Sequence, residues 1–327
     1  MKNITVIGFG SWGIALACLL ANNGHNVTAW EFNPDMAARL NADREHKAFL
    51  PGIKIPDSIH ITSNVDEAAS GADIYLVTLP SHAIETAIHQ FVPYFKDKIV
   101  ASASKGLVGG RRICEYIASH APDCKIASLT GPSHAEEVSR GMPTTVVAAA
   151  TDEAVAKAVQ DIFSGSNFRV YTTTDVLGAE LGGAIKNVIA LAAGIVDGLG
   201  FGDNTKAALM TRGLAEIARL GVAMGADEHT FAGLSGIGDL IVTCTSPHSR
   251  NWRAGNLLAS GKQAGEVLKE IGMVVEGVHT AKTALELARM HGVDMPIVEE
   301  INKVLFKNKN PKDAVVDLML RDKKDEH

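Results

Sequence analysis

Gly8-Phe9-Gly10-Ser11-Trp12-Gly13 decides how the first half of this chain reads. A short apolar run (Ile4, Val6, Ile7) precedes it, and a helical pattern (Ile14, Ala15, Ala17, Leu19, Leu20) follows. A G-x-G-x-x-G stretch between a strand and a helix is the fingerprint of a dinucleotide-binding turn. Gly8 permits the tight turn, Gly10 lets backbone approach a pyrophosphate, and Gly13 lets the helix sit close on the sheet. The helix N-terminus offers N–H groups and a partial positive charge to the phosphates. A second strand (Val27 to Trp30) ends at Glu31, about 20 residues beyond the glycines, where a carboxylate can bind a ribose 2′-hydroxyl. That carboxylate repels a 2′-phosphate, so NAD(H) is favoured, and Phe32 is placed to lie on the adenine face. NADP(H) stays open, because Arg39 or Arg44 could reach a phosphate.

Outward from this turn, short β-branched runs alternate with helical segments up to about residue 172. Strands are expected at 3–7, 26–31, 59–62, 73–79, 98–102, 125–129, 144–150 and 167–172. Helices are expected near 11–23, 34–42, 64–70, 81–91, 110–119, 134–139 and 152–163. The pattern is that of an α/β domain with a mostly parallel, Rossmann-type sheet. Beyond Asp175 the character changes to long Ala/Leu/Gly-rich helical stretches (178–200, 204–224, 250–260, 277–291, 296–307) with no strand. The reading is a dinucleotide-binding domain at 1–175 and an all-helical substrate-binding and catalytic domain at 176–327. No repeat or low-complexity linker separates them, so a cleft at the carboxyl ends of the strands is the expected active site.

Composition narrows the class. A net charge of −6 argues against a nucleic-acid binder, while leaving room for a local basic pocket that holds a small anion. Cys18, Cys114, Cys124 and Cys244 have no C-x-x-C pairing or metal spacing and suit a reducing cytoplasm. No ligand cluster suggests a metal. Residues 1–20 faintly resemble a signal peptide, but glycines interrupt the apolar run and cleavage would remove the phosphate loop. No stretch reaches ~18 uninterrupted apolar residues, so no membrane span is expected. The charged tail from Arg321 to His327 is expected to fray.

The chemistry concentrates in the second half. Lys186 sits mid-helix in Gly182-Gly183-Ala184-Ile185-Lys186-Asn187, with Gly182, Gly183 and Ala190 on its side of the helix, leaving space there. Two adjacent helical glycines each cost about 1 kcal/mol relative to alanine, and close approach of something compensates. The alternative is a snorkelling lysine whose stem covers apolar surface. A partly desolvated lysine shifts its pKa downward and becomes a usable acid or base near neutral pH. Asp239, in apolar surroundings (Ser235-Gly236-Ile237-Gly238-Asp239-Leu240), needs a cation or several donors to stay ionised, and Lys186 would satisfy it; a helix N-cap is its other reading. In Ser246-Pro247-His248-Ser249-Arg250-Asn251, Ser249 reads as the N-cap of a helix whose first turn can hold a phosphate or carboxylate. Two further loops follow strands: Ser104-Lys105-Gly106, which adds a positive charge, and Gly131-Pro132-Ser133-His134-Ala135-Glu136, where Ser133 and Glu136 read as a capping box.

Taken together, Gly8 to Gly13, Ser104 to Gly106, Gly131 to Ala135, Lys186-Asn187, Gly238-Asp239, Ser249 to Asn251 and Val275-Glu276-Gly277 resemble the NAD(P)-dependent glycerol-3-phosphate dehydrogenase family, in order and over essentially the whole chain. The resemblance implies interconversion of dihydroxyacetone phosphate and sn-glycerol 3-phosphate, feeding glycerophospholipid synthesis. It implies that Lys186 is the catalytic acid/base and that Lys105, Gly131, Ser133, Asp239, Ser249, Arg250 and Asn251 contact substrate. It places Ser11, Trp12, Phe32, Lys105, Ala135, Arg250, Val274 and Glu276 on the cofactor. One departure is Glu31-Phe32, where many bacterial-type members carry a basic residue. A reductase of a small oxoacid shares much of this pattern, and a non-catalytic NAD(H)-binding protein would keep only the glycine turn. The long apolar helices suggest a homodimer.

Overall fold

Apolar residues line both faces of the early strands because helices cover the sheet on both sides. The computed structural model describes residues 1–323, 325 and 326. Eight of its strands form one sheet: β1 (Asn3–Ile7), β2 (Asn26–Trp30), β3 (His60–Thr62), β4 (Ile74–Val77), β5 (Ile99–Ser102) and, after a hairpin of β6 (Leu107–Val108) and β7 (Arg111–Arg112), β8 (Lys125–Thr130), β9 (Thr144–Ala149) and β10 (Phe168–Thr173). Their order is β10-β9-β8-β5-β4-β1-β2-β3, and every neighbouring pair is parallel except β8 with β9. The run β3-β2-β1-β4-β5-β8 is the 3-2-1-4-5-6 order of a Rossmann sheet, and β9 and β10 extend it in the opposite sense. Strand residues alternate between two cores: Ile4, Val6, Leu76 and Ala101 pack into one, and Ile7, Tyr75, Val77 and Val100 into the other. The carboxyl ends of β1, β2, β5 and β8 therefore open on one edge, where ligands of such sheets bind.

The chain divides into two compact units, Met1–Glu180 and Leu181–His327, and the division falls inside the helix Val176–Gly198. The second unit has only helices among its described residues. The helix Val176–Gly198 is long and apolar enough to cross a membrane, but its apolar stretch is buried inside the fold. The helices Gly202–Ala223, Asp239–Thr245, Arg250–Ala259, Glu276–Met290 and Pro296–Lys307 follow it along the chain.

The eight expected strands are all present, with ends shifted by a residue or two. Residues 110–112, expected to begin a helix, instead close the β6–β7 hairpin. Gly109 and Gly110 both have positive φ (54° and 81°), the conformation of a two-residue hairpin turn, and the helix starts at Ile113. Short helices at Glu228–Phe231, Ala264–Ile271 and Pro311–Met319 add to those expected. In the charged tail Arg321 pairs with Asp294 at 2.7 Å, while Lys324 and His327 lie outside the described residues.

Candidate active site

The glycine turn has the shape its spacing requires. Gly8 adopts φ +99°, and a Cβ on Gly13 would lie 2.1 Å from the Gly8 carbonyl oxygen, so only glycine allows this closeness of helix and strand. Thr78, just past β4, donates its hydroxyl to that same carbonyl at 2.6 Å and steadies the loop. Gly10 is different: a Cβ there would meet nothing within 4 Å. Space is thus kept beside the backbone at the entry to the helix Ser11–Asn22. That helix has no side-chain cap and no acidic residue in its first turn, so its N–H groups and dipole are left for an anion. A dinucleotide pyrophosphate fits this cradle.

The other expected cofactor residues of the sheet unit lie on the same edge. Glu31 directly follows β2; burial raises its pKa, and the Asn33 N–H it accepts at 3.1 Å partly opposes that rise. Phe32 beside it is exposed and forms an edge-on ring pair with Trp30 at a centroid distance of 6.2 Å. The Trp12 indole N–H donates to the Ala103 carbonyl at 3.1 Å, tying the turn to the loop after β5. From that loop Lys105 donates to the Gly131 carbonyl at 3.1 Å, and Ser133 donates to the same oxygen at 2.9 Å. Ser133 is not the capping residue its spacing suggested. Gly131, at φ +127°, folds the chain back so that its carbonyl takes the hydroxyl, and His134 is the N-cap of the helix Ala135–Val138. Ala135 itself is buried.

In the helical unit Lys186 and Asp239 meet. The Lys186 ammonium donates to Asp239 Oδ1 at 2.5 Å and to Thr243 Oγ1 at 2.6 Å, and both charged side chains are at least 95% buried. A buried ammonium so placed does not snorkel. Asp239 opens the helix Asp239–Thr245 behind a π-helical turn, Leu234–Gly238, and Thr243 stands one turn further on the same face. Thr243 gives its own hydrogen to the Asp239 carbonyl at 2.6 Å, so its lone pair faces the lysine. The space expected beside Gly182 is filled by backbone, since a Cβ there would lie 2.4 Å from the Ser235 carbonyl oxygen. The glycine thus lets the segment carrying Asp239 close on the helix carrying Lys186. Cys244, buried next to Thr243, has its pKa pushed up to about 12 by burial, against the lowering pull of Lys186 and Lys206.

Ser249 caps the helix Arg250–Ala259, accepting from the Trp252 N–H at 3.2 Å, and no acidic residue lies in the first turn. Arg250 opens that helix. Asn251 is a strut: its amide donates to Asn187 Oδ1 at 2.9 Å and its oxygen accepts from the Gly277 N–H at 2.8 Å. Val274 and Glu276 flank the start of the helix Glu276–Met290. The structure therefore groups Lys186, Asp239, Ser249, Arg250 and Asn251 in the helical unit and the dinucleotide turn with Lys105, Gly131 and Ser133 in the sheet unit. Thr243, Asn187 and Thr78 are additions. Thr243 was readable as the residue one turn after Asp239, and Asn187 as the neighbour of Lys186, whereas nothing local marks Thr78. Among the described residues no group of three or more His, Cys, Asp or Glu side chains could hold a metal ion.

A Rossmann-ordered sheet with an uncapped glycine turn, joined to a helical unit with a buried lysine–aspartate pair, defines a class of dinucleotide-dependent dehydrogenases. Residues 3–156 match the family described as the N-terminus of NAD-dependent glycerol-3-phosphate dehydrogenase, and residues 175–316 match its C-terminus. The glycerol-3-phosphate dehydrogenase (NAD(P)+) of Moorella thermoacetica is 52% identical over 98% of this chain and 96% of its own. That of Fusobacterium nucleatum subsp. nucleatum is 50% identical over 99% and 98%. The crystal structure of glycerol-3-phosphate dehydrogenase from Coxiella burnetii superposes with a TM-score of 0.95 at 34% identity, covering 98% of this chain and 99% of that one. The chain belongs to the NAD-dependent glycerol-3-phosphate dehydrogenase family.

Proposed function

We propose that this protein interconverts dihydroxyacetone phosphate and sn-glycerol 3-phosphate with a nicotinamide dinucleotide, and that Lys186 is its acid/base. The observation that carries the reading is the buried ammonium held between Asp239 and Thr243, one residue from the Asn187–Asn251 strut that joins it to the Arg250 helix. When bound, the reduced dinucleotide supplies the hydride that the ketone carbon accepts, and the oxidised form takes one back in the reverse direction. As the carbonyl oxygen gains negative charge, the Lys186 ammonium stabilises it and gives it a proton, a role typically worth about 10²–10⁴-fold. Asp239 keeps that amine charged and aimed, and Thr243 fixes its second hydrogen. Arg250 supplies a planar fork to the phosphate, and the N–H groups of the helix first turn, including that of Asn251, add the dipole. Binding energy from this remote phosphate orients the reacting carbon. Lys105, Gly131 and Ser133 are assigned to substrate as well, and Gly8, Gly10, Ser11, Trp12, Gly13, Glu31, Phe32, Ala135, Val274 and Glu276 to the cofactor.

NAD(H) is the preferred cofactor in this reading. Glu31 closes β2 with a carboxylate, and Arg44, one of the two arginines that could meet a 2′-phosphate, is engaged with the Ile59 carbonyl at 2.8 Å and with Asp57 at 3.7 Å. The product feeds glycerophospholipid synthesis. A cytoplasmic location fits the four free cysteines, three of them buried. A homodimer fits the large apolar side chains exposed on the helical unit, Val222, Ile241, Met290, Phe306, Met319 and Leu320 among them.

Initial rates with NADH and with NADPH, at matched dihydroxyacetone phosphate and beside a panel of 2- and 3-oxoacids, test the proposal. The expected result is turnover of the ketose phosphate alone, faster with NADH. Turnover of an oxoacid in its place would overturn the substrate assignment, and a preference for NADPH would overturn the role given to Glu31.

A further inference from the structure

We propose that Asp197 is a positioning residue for substrate: through the Trp252 indole it sets the axial position of the helix Arg250–Ala259, and with it the Ser249-Arg250-Asn251 corner. The proposal rests on the reading of that corner as the phosphate site. Asp197 follows Lys186 by eleven residues on the same helix, about three turns, so the two share a face. Its Oδ2 accepts from Trp252 Nε1 at 2.6 Å and from Lys206 Nζ at 2.8 Å, so one carboxylate ties together three helices. Its neighbour along the helix Val176–Gly198, the Lys186–Asp239 pair, lies about three turns away.

The need for such an anchor follows from how the two helices touch. A Cβ on Gly194 would lie 2.0 Å from the Trp252 carbonyl oxygen, one on Gly255 2.0 Å from the Leu191 carbonyl oxygen, and one on Gly198 2.5 Å from Ala259 Cβ. Backbone lies on backbone at the first two points and on a single methyl group at the third. Side-chain ridges, which normally lock one helix into the grooves of another, are absent at these three points. A smooth seam resists separation better than sliding. Polar bonds from two successive residues in the first turn of Arg250–Ala259 then set the register, reaching points ten residues apart on the helix Val176–Gly198: Asn251 to Asn187 at 2.9 Å near the lysine, and Trp252 to Asp197 at 2.6 Å. The second bond has a charged acceptor and is the stronger type. Without it the helix N-terminus shifts along its neighbour, and the Arg250 fork loses its alignment with the phosphate before Lys186 loses its partners.

Trp252→Phe, which keeps the ring and removes the indole donor, is the sharpest variant. Steady-state kinetics with dihydroxyacetone phosphate and NADH should show KM for the ketose phosphate raised about tenfold, with kcat and KM for NADH within about twofold of wild type. Asp197→Asn, which keeps an acceptor for the indole, should show a smaller rise, and Asp197→Ala should match Trp252→Phe. Inorganic phosphate titrated calorimetrically reads the corner independently of turnover and should bind Trp252→Phe about tenfold more weakly. Unchanged phosphate affinity and KM in a folded Trp252→Phe, or a loss confined to kcat, would overturn the proposal. A wild-type protein inactive on dihydroxyacetone phosphate would contradict the assigned reaction, and the phosphate titration would still decide the role of Asp197.

Discussion

The two units use the same two devices in opposite ways. In the sheet unit, Gly10 keeps open space beside the backbone, and the helix Ser11–Asn22 starts with no capping side chain. In the helical unit, the missing Cβ atoms of Gly182, Gly194 and Gly255 are replaced by other backbone, and the helix Pro296–Lys307 is capped from within by Glu216, which accepts from the Ile297 N–H at 2.9 Å and the Val298 N–H at 3.3 Å. Open space beside a glycine, as at Gly10, leaves room for a ligand to approach, whereas a glycine met by backbone, as at Gly13 or Gly182, serves close packing of the chain on itself. At Gly10 the backbone is left open toward a cofactor, while at Gly182 it lets the segment carrying Asp239 close on the helix carrying Lys186.

The contrast can be broken most severely at Gly194. Gly194→Ala sets a methyl 2.0 Å from a backbone oxygen that no rotamer change can move. A loss of at least about 3 kcal/mol in urea unfolding is expected, and an unaltered midpoint would refute the seam.

Glu216 gives an effect of similar size that depends on pH. Burial raises its pKa to about 7, beyond what its two backbone donors offset. The unfolded carboxyl releases its proton near 4.5, while the folded one holds it to about 7, so the folded state binds the extra proton between these values. Stability from this group is therefore lost as pH rises through that window, by about 3 kcal/mol in all. Urea midpoints measured across the window should fall in wild type and stay flatter in Glu216→Gln; parallel curves would remove Glu216 as the cause.

At the buried pair, Asp239→Asn leaves the Lys186 ammonium buried without its counter-charge. A fall in kcat of about 10²-fold is expected, with KM for NADH little changed. Wild-type kcat in a folded Asp239→Asn would mean that Asp239 does not hold the lysine for the reaction.

The smallest effect is the most discriminating. Gly10 has φ −76°, which alanine adopts readily, and its Cβ would meet no atom within 4 Å. Gly10→Ala should leave the free protein equally stable, or more stable by up to about 1 kcal/mol, while weakening NADH binding. Thermal melts with and without NADH check both halves at once.

These cases also show what the sequence could carry. The sheet was legible because each strand is a β-branched run bounded by turn residues, and the glycine turn because its neighbours were a strand and a helix. The Lys186–Asp239 pair was legible as two charges in apolar surroundings that each needed the other. The β6–β7 hairpin was not, since two-residue strands have no period, although Gly109-Gly110 was a turn signal. Ser133 misled because its spacing to Glu136 fits a cap, while the backbone at Gly131 turns its hydroxyl elsewhere. Which glycines face a ligand and which face backbone is a tertiary fact, and the two kinds read alike in one dimension.

The central claim is that the Lys186 ammonium delivers the proton to the nascent alkoxide, and chemical rescue of Lys186→Ala tests it most directly. With dihydroxyacetone phosphate and NADH saturating, kcat should fall about 10²–10⁴-fold and rise again with added methylammonium, while KM for NADH stays near wild type. Near-normal turnover by Lys186→Ala without any added amine would contradict the account.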